Sequence, residues 1–393
     1  MPSTAGSSPT RTIVTLAIAC FASAVSLRAC DPILPEIAKS FGTTPGMAAN
    51  VVTFFGIAYG GAQFGYGLAG ERFGKLKTMI AATFLSAATA WVCALSNSLT
   101  FLVAARIGAG IAAAAIIPLA MAWIGDAVPY ERRQSMLARF LTGQISGLVL
   151  GQFFGGIIAE YFGWRWVFVT IAVTFLLAGS ALAYEYATGA GRVEASEPPH
   201  EPALVRVGAM FRRAWVVTVL GAVFLEAMIF FGAFTFAGSE LWARFGIGFD
   251  KIGLIVAGFG VGGLVYAATA STMLPRLGEG GLVVGGGIVV ALAFSLIAIA
   301  PSPWWVAPAT IAAGCGYYML HNTLQTHATQ MAPEARGIAL GMFASSLFLG
   351  QSVGVAIAAP VFDYTGGRPI FLAGAVFIVI LALVYRAGAR RFG

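Results

Sequence analysis

Residues 188–213 read TGAGRVEASEPPHEPALVRVGAMFRR, and in this 393-residue chain they are the one long stretch that cannot sit in a lipid bilayer. Glu194, Glu197, Glu201, Arg192 and Arg206 crowd into it together with three prolines. Outward from it in both directions the chain becomes a succession of apolar runs broken by short turns. Hydrophobic residues make up 59% of the chain and charged ones 10%, against about a quarter charged in ordinary soluble domains. That balance describes a polytopic membrane protein with a polar linker near its middle.

A helix of about 20 apolar residues, rising about 1.5 Å per residue, spans a hydrocarbon layer about 30 Å thick. Twelve such segments are expected, at roughly 12–38, 47–69, 78–96, 100–124, 135–161, 165–187, 214–238, 250–272, 281–300, 304–327, 337–361 and 368–387. Helices are the default because backbone amides in lipid must find partners within their own segment; short alternating strands of the barrel kind are absent from the sequence. The expected division is a six-helix bundle over 1–187, a cytoplasmic linker over 188–213 and a second six-helix bundle over 214–393. With the amino terminus inside, 16 of the 23 basic residues fall in cytoplasmic turns and five outside, leaving Arg28 and Arg106 within the membrane. Cytoplasmic loops carry the excess of Lys and Arg, so both termini should be cytoplasmic in a cell membrane. The net charge of +7 is a topology signal, and no nucleic-acid partner is needed to explain it.

The two halves repeat. Glu36, Phe41, Gly42, Arg72 and Gly74 fall on Glu240, Phe245, Gly246, Arg276 and Gly278 at an offset of 204, and Glu131, Arg133, Gly147, Gly151, Glu160, Tyr161, Gly163, Arg165 and Phe168 fall on Glu334, Arg336, Gly350, Gly354, Asp363, Tyr364, Gly366, Arg368 and Phe371 at an offset of 203. Two related bundles around a site near the bilayer midplane is the architecture of many secondary transporters. Glycines four residues apart let helix backbones approach closely in lipid, as at Gly143, Gly147, Gly151 and Gly155 in segment 5. Sliding contact between the halves is the expected use of Gly147 and Gly151, with static packing as the alternative.

After segment 2 comes Gly67-Leu-Ala-Gly-Glu71-Arg72-Phe-Gly74-Lys75-Leu-Lys77, which resembles the cytoplasmic loop signature G-x-x-x-D-R-x-G-R/K of the major facilitator superfamily, with Glu71 for the usual Asp. Asp31-Pro-Ile-Leu-Pro35 resembles the end of helix 1 in the twelve-helix drug:proton antiporter branch. Arg106-Ile-Gly-Ala-Gly110 resembles its R-x-x-Q-G motif, with Ala109 for Gln. Residues 147–156 resemble its G-x-x-x-G-P-x-x-G-G motif, with Gln152 in place of the proline. The resemblance covers essentially the whole chain and implies the major facilitator fold, proton coupling through Arg106, and a conformational role for Gly67, Glu71, Arg72, Gly74 and Lys75 in holding the halves together on the cytoplasmic side.

Ionisable residues at membrane depth are costly and are functional candidates by default. Arg28, Asp31, Arg106 and Glu226 fall in one slab by residue counting. Asp31 reads as a proton carrier or as the permanent partner of Arg28 three positions away. Arg106 needs a partner for its charge, and Glu226, a lone acid among phenylalanines, suits a proton site or a cation site. Phe230 and Phe234 share its helix face, and with Arg28, Gln144 and Tyr317 they make the expected substrate pocket. His321 either titrates or is held in a hydrogen bond. Cys20, Cys30, Cys93 and Cys315 lack metal-ligand spacing, and neither metal nor cofactor is called for. A nucleotide-binding loop, a nucleophile with its base and an H-E-x-x-H pair are missing from the sequence, so the reading is a monomeric secondary transporter and not an enzyme. Proton-coupled efflux of a small amphipathic solute is expected; a proton-linked carrier of an organic anion, with Arg28 and Arg106 as ligands, is the alternative. The topology has a direct check: a reporter fused after Gly393 should be active only if cytoplasmic, and activity of a periplasm-dependent reporter there would overturn the orientation.

Overall fold

The computed structural model describes residues 9–128, 130–189, 203–332 and 336–392. Of the linker expected at 188–213, residues 190–202, with Arg192, Glu194, Glu197 and Glu201, lie outside the described residues, as does Glu334 of the repeat. Among the described residues the chain is helical throughout and has no strand. Segment 1 is α1 (Pro9–Arg28) continued by a 3₁₀ turn (Asp31–Ile33) and α2 (Leu34–Ser40); a short α3 (Pro45–Ala48) leads into α4 (Asn50–Phe73). Then come α5 (Lys75–Ala94), α6 (Leu99–Ala113) with α7 (Ile116–Ala127), α8 (Tyr130–Phe162) and α9 (Trp164–Ala187). After a short α10 (Ala203–Met210), the second half holds α11 (Ala214–Phe234) with α12 (Ala237–Phe245), α13 (Phe249–Ile299), α14 (Pro303–Gln330), α15 (Arg336–Thr365) and α16 (Arg368–Phe392).

Nine helical stretches among the described residues are long and apolar enough to cross a membrane. The 51-residue α13 counts twice, because its backbone leaves the helical region at Gly278. Glycine-rich α4 and the amide- and histidine-bearing α14 are long enough, at 24 and 28 residues, though less apolar. Twelve spans result, in two six-helix bundles each with a hydrophobic core, that of the first also taking in Phe236, Val355, Ala358 and Phe362 of the second half.

The internal repeat is visible in the backbone. Left-handed φ values occur at Gly42 and Gly246, at Gly74 and Gly278, and at Gly163 and Gly366, so the same turns recur in each half where an L side chain would be strained. Glu36 accepts a hydrogen bond from the Trp164 backbone N–H at 2.9 Å, and Glu240 accepts one from the Gly367 N–H at 2.9 Å. Each carboxylate thereby satisfies an orphan donor at the start of the last helix of its half.

Glycine spacing serves packing within a bundle before it serves movement. A methyl group at Gly143, Gly147, Gly151 or Gly155 would overlap the backbone of Ala17, Phe21, Val25 or Ala29 on α1, and one at Gly350 or Gly354 would overlap Phe224 or Met228 on α11. Gly147 and Gly151 therefore hold α8 against α1 of their own half, which corrects the expectation of a sliding contact between halves. The reason is that their four-residue period matches that of Ala17, Phe21, Val25 and Ala29, whose backbone on α1 they meet. Contacts across the halves use other positions: Gly56 and Gly60 of α4 against α15, and Gly156 against Gly253 of α13.

These cross-half contacts all lie toward the end of the molecule opposite the termini. There Glu160, at the end of α8, accepts from the Phe249 N–H that starts α13 at 2.6 Å. Its repeat equivalent Asp363, at the end of α15, accepts from the Gly46 N–H at 2.8 Å and the Thr44 hydroxyl at 2.6 Å. Nearer the termini nothing faces Gly61, Gly65 and Gly67 on α4 or Gly337 and Gly341 on α15. The two bundles are thus joined at one end and parted at the end bearing the termini. Removing a cap of this kind costs about 0.5–2 kcal/mol, so Glu160→Ala with Asp363→Ala should populate separation at the joined end. Spin labels at Ser40 and Tyr364 should show a longer distance in the double variant, and an unchanged distribution would remove the clamps from the closure.

Candidate functional site

At the joined end, α1 finishes on Arg28 and the prolines Pro32 and Pro35 force the 3₁₀ turn that carries Asp31 back toward it. The Arg28 guanidinium donates to Asp31 Oδ2 at 3.3 Å, and both side chains are buried. Its other end leaves the first bundle. It donates to Gln351 Oε1 on α15 at 3.0 Å and lies 3.9 Å from the centroid of the Phe231 ring on α11. Asp31 Oδ1 is buried with no hydrogen-bond partner among the described residues. Arg28 therefore divides its charge between an acid of its own half and an amide and a ring of the other.

Arg106 solves the same problem without an acid. Fully buried on α6, it donates from Nε to the Val51 carbonyl at 3.1 Å, and from its terminal nitrogens to the Ser26 carbonyl at 3.2 Å and hydroxyl at 3.4 Å, with the Phe55 ring 3.8 Å away. Carbonyl dipoles and a ring face carry the charge, and they join α1, α4 and α6 inside one half. The partner that the charge of Arg106 requires is thus the backbone at Ser26 and Val51, which comes close enough to stand where a carboxylate could.

Glu226, midway along α11, has no solvent exposure. Its Oε2 lies 2.8 Å from His321 Nδ1 on α14, while Oε1 has no partner among the described residues. The Tyr317 hydroxyl lies 3.3 Å from the same nitrogen, and its ring stacks on the imidazole at 5.0 Å. An acid and an imidazole at this distance share a proton between them, as a neutral pair or as an ion pair. Phe230 and Phe234 are fully buried and pack on each other and on Phe259 within their own half. They are core in this form, as is Tyr317, whose ring meets Phe230 at 4.6 Å. Gln144 is half-buried on α8.

The structure thus separates the slab of charges into three stations: Arg28 with Asp31, Arg106 alone among carbonyls, and Glu226 with His321. Gln351 and Phe231 were missed by residue counting, although a lone amide in an apolar span is the same kind of signal as a charge. In the loop after α4, Lys75 pairs with Asp126 of α7, in the same half. Glu71, Gly67 and Arg72 are exposed, Arg72 beside the Phe73 ring at 5.3 Å, and Gly74 makes the turn into α5. Among the described residues, these contacts of Lys75 and Arg72 are within the loop's own bundle. Gln152, standing where the antiporter motif has proline, is buried with neither amide atom hydrogen-bonded among the described residues.

Against known proteins, the sequence model of the major facilitator superfamily matches residues 16–354. The chain belongs to the major facilitator superfamily. It is 26% identical to the chloramphenicol resistance protein of Streptomyces lividans over 90% of each chain, and 28% identical to the multidrug export protein EmrB of Escherichia coli (strain K12) over 42% of this chain and 33% of that one. Among solved structures, a bacterial homolog of the human lysosomal transporter Spinster, in an inward-facing and occupied conformation, superposes with a TM-score of 0.79 at 17% identity, covering 99% of this chain and 98% of the other. A facilitator of this architecture is a transporter and not an enzyme.

Arg106 carries a stability prediction. Lysine keeps the charge and loses the fork that reaches both Ser26 and Val51, and each hydrogen bond from a charged group is worth about 1.5–3 kcal/mol. Arg106→Lys should lower the thermal midpoint of the purified protein clearly, with Arg72→Lys in the exposed loop as the unaffected control; equal midpoints would mean that the carbonyl contacts carry no weight.

Proposed function

We propose that this facilitator exports a small amphipathic solute in exchange for protons, acting as a monomer in the cell membrane with both termini in the cytoplasm. The observation that carries the reading is the reach of Arg28, from Asp31 in one half to Gln351 and Phe231 in the other. With the termini cytoplasmic, the joined end faces outward, and the parted end leaves the interior open to the cytoplasm. A proton on Asp31 removes the acid that positions Arg28. A solute that competes for the guanidinium draws it from Gln351 and Phe231. Either event weakens the tie between the bundles, so solute and proton act on one bond from opposite sides. A ligand moves such an equilibrium only by binding one state better than the other, and this shared tie supplies the difference.

Glu226 and His321 form the second proton station. Glu226 itself is sealed from solvent while His321 keeps an exposed edge, so a proton reaches Glu226 through the imidazole. Arg106 holds α1, which carries Arg28, against α4 and α6, and so acts as a positioning residue for the tie. Efflux as the direction is supported by the chloramphenicol resistance protein and the multidrug export protein among the relatives.

The test uses proteoliposomes with an imposed pH gradient and a panel of chloramphenicol with cationic and anionic solutes. Asp31→Asn should bind solute and lose gradient-driven transport. Glu226→Gln should reduce the gradient dependence, and if Glu226 meets cationic solutes directly it should weaken those alone. Both variants transporting every solute at the wild-type rate, with an unaltered dependence on the gradient, would leave the mechanism without its carboxylates.

A further inference from the structure

Along α1, Val14, Ile18, Phe21, Val25 and Arg28 follow one another at intervals of four and three residues, which places them on one face of the helix. Arg28, at the far end of that face, touches Gln351 and Phe231 of the second bundle, so at that end the face is turned toward the other half. On α8, Arg139, Thr142, Ser146 and Val149 follow the same spacing, and Val149 lies against Gly260 of α13. At these points both faces aim across the space that separates the bundles. Where the halves part, the two faces border a cleft of about 440 Å³ lined by Val14, Ile18, Phe21, Arg139, Thr142 and Ser146, among other residues. That size falls within the range of about 300–1,000 Å³ typical of small-molecule sites.

The lining is lopsided in a way that names a ligand. Val14 is 54% and Ile18 42% exposed, and on helix faces that border a cleft such apolar surface is covered at a gain when a solute arrives. Facing it are two hydroxyls and one cation. Arg139 is exposed and pairs with no carboxylate among the described residues. The acids deeper in the molecule are already occupied: Asp31 is tied to Arg28, and Glu226 is sealed against His321. A cationic solute entering here meets Arg139, and no acid is among the described residues that line the cleft. An anionic one finds a guanidinium able to take a carboxylate in two parallel hydrogen bonds.

We propose that this cleft is the cytoplasmic loading site of the transporter and that it selects amphiphiles bearing a carboxylate, the apolar body lying on Val14, Ile18 and Phe21 and the carboxylate on Arg139. The proposal rests on the transport reading above and adds the charge class of the solute. It places the anion on Arg139, and leaves Arg28 and Arg106, both buried and engaged, to the tie between bundles and to positioning.

Three probes of one shape decide it: 4-phenylbutyrate, 4-phenylbutanol and 4-phenylbutylammonium, titrated into the full chain in nanodiscs with empty nanodiscs subtracted. The carboxylate should bind about tenfold or more tighter than the ammonium compound, as a charge-assisted pair requires. Arg139→Gln should bring the two within about twofold of each other, Arg139→Lys should keep the order, and Ile18→Ser should weaken all three together. An ammonium probe that binds as tightly as the carboxylate, or a preference that survives Arg139→Gln in protein of wild-type thermal midpoint, would overturn the proposal. Counterflow of labelled 4-phenylbutyrate separates the two readings. Carboxylate-selective binding without counterflow supports the site and sinks the transport reading, whereas counterflow of chloramphenicol with no selectivity for the carboxylate sinks the site alone.

Discussion

Two acids hold this molecule in the shape it has. Glu160 and Asp363 stand at equivalent ends of α8 and α15, and each accepts from a backbone N–H at the start of a helix in the opposite bundle. The first N–H groups of a helix have no partner within it and carry its positive end. A carboxylate supplied from the other half satisfies them only while the halves are in contact. Because the internal repeat places one clamp on each side, both lateral seams close together. The closed end then shields Asp31 and Arg28, and the parted end exposes the faces of α1 and α8.

Within that frame, three buried charge stations are satisfied by different means, and the difference sorts their roles. Arg106 rests on carbonyls that belong to fixed helices, so its environment is the same whatever proton or solute is present. It is a strut. Arg28 rests on an acid that can be neutralised and on two groups that can be pulled away, so its environment depends on what is bound. Glu226 rests on His321, a group that can itself carry or give up a proton, 2.8 Å away. In the proton-coupled reading proposed above, only the Arg28 and Glu226 stations have partners that a proton would change.

Much of this was legible in the sequence, because the bilayer leaves few alternatives. Twelve spans and the repeat follow from apolar length and from matched glycines and charges, and the recurring positive φ at Gly74 and Gly278 shows the repeat persisting to the level of backbone angles. Depth could be counted along each helix, and it correctly set Arg28 beside Asp31. What counting along one helix cannot supply is which neighbour faces a residue. That is why Glu226 met His321, a residue 95 positions away, why carbonyls at Ser26 and Val51 rather than a carboxylate received Arg106, and why Gln351 was overlooked. Phe230 and Phe234 were placed on the right face of α11, yet that face turns into the core of its own bundle.

The glycines explain how such a structure moves without coming apart. Within each bundle, α8 on α1 and α15 on α11 meet backbone to backbone at Gly147, Gly151, Gly350 and Gly354, a spacing at which even one methyl group has no room. Contacts this close resist sliding, since any shift along the helix drives Cα atoms into carbonyls. Between the bundles, contact rests on a few polar ties at one end and is lost at the other. Displacement therefore concentrates where the packing is thin, and each bundle turns as a unit about the seams at Gly56, Gly60 and Gly156. Because α1 is locked to α8, the cleft at the parted end and the Arg28 tie at the far end of α1 belong to one rigid body. In the export proposed above, a solute that draws α1 toward the second bundle at the parted end would lever it away at the joined end, and loading would be coupled to release through geometry alone.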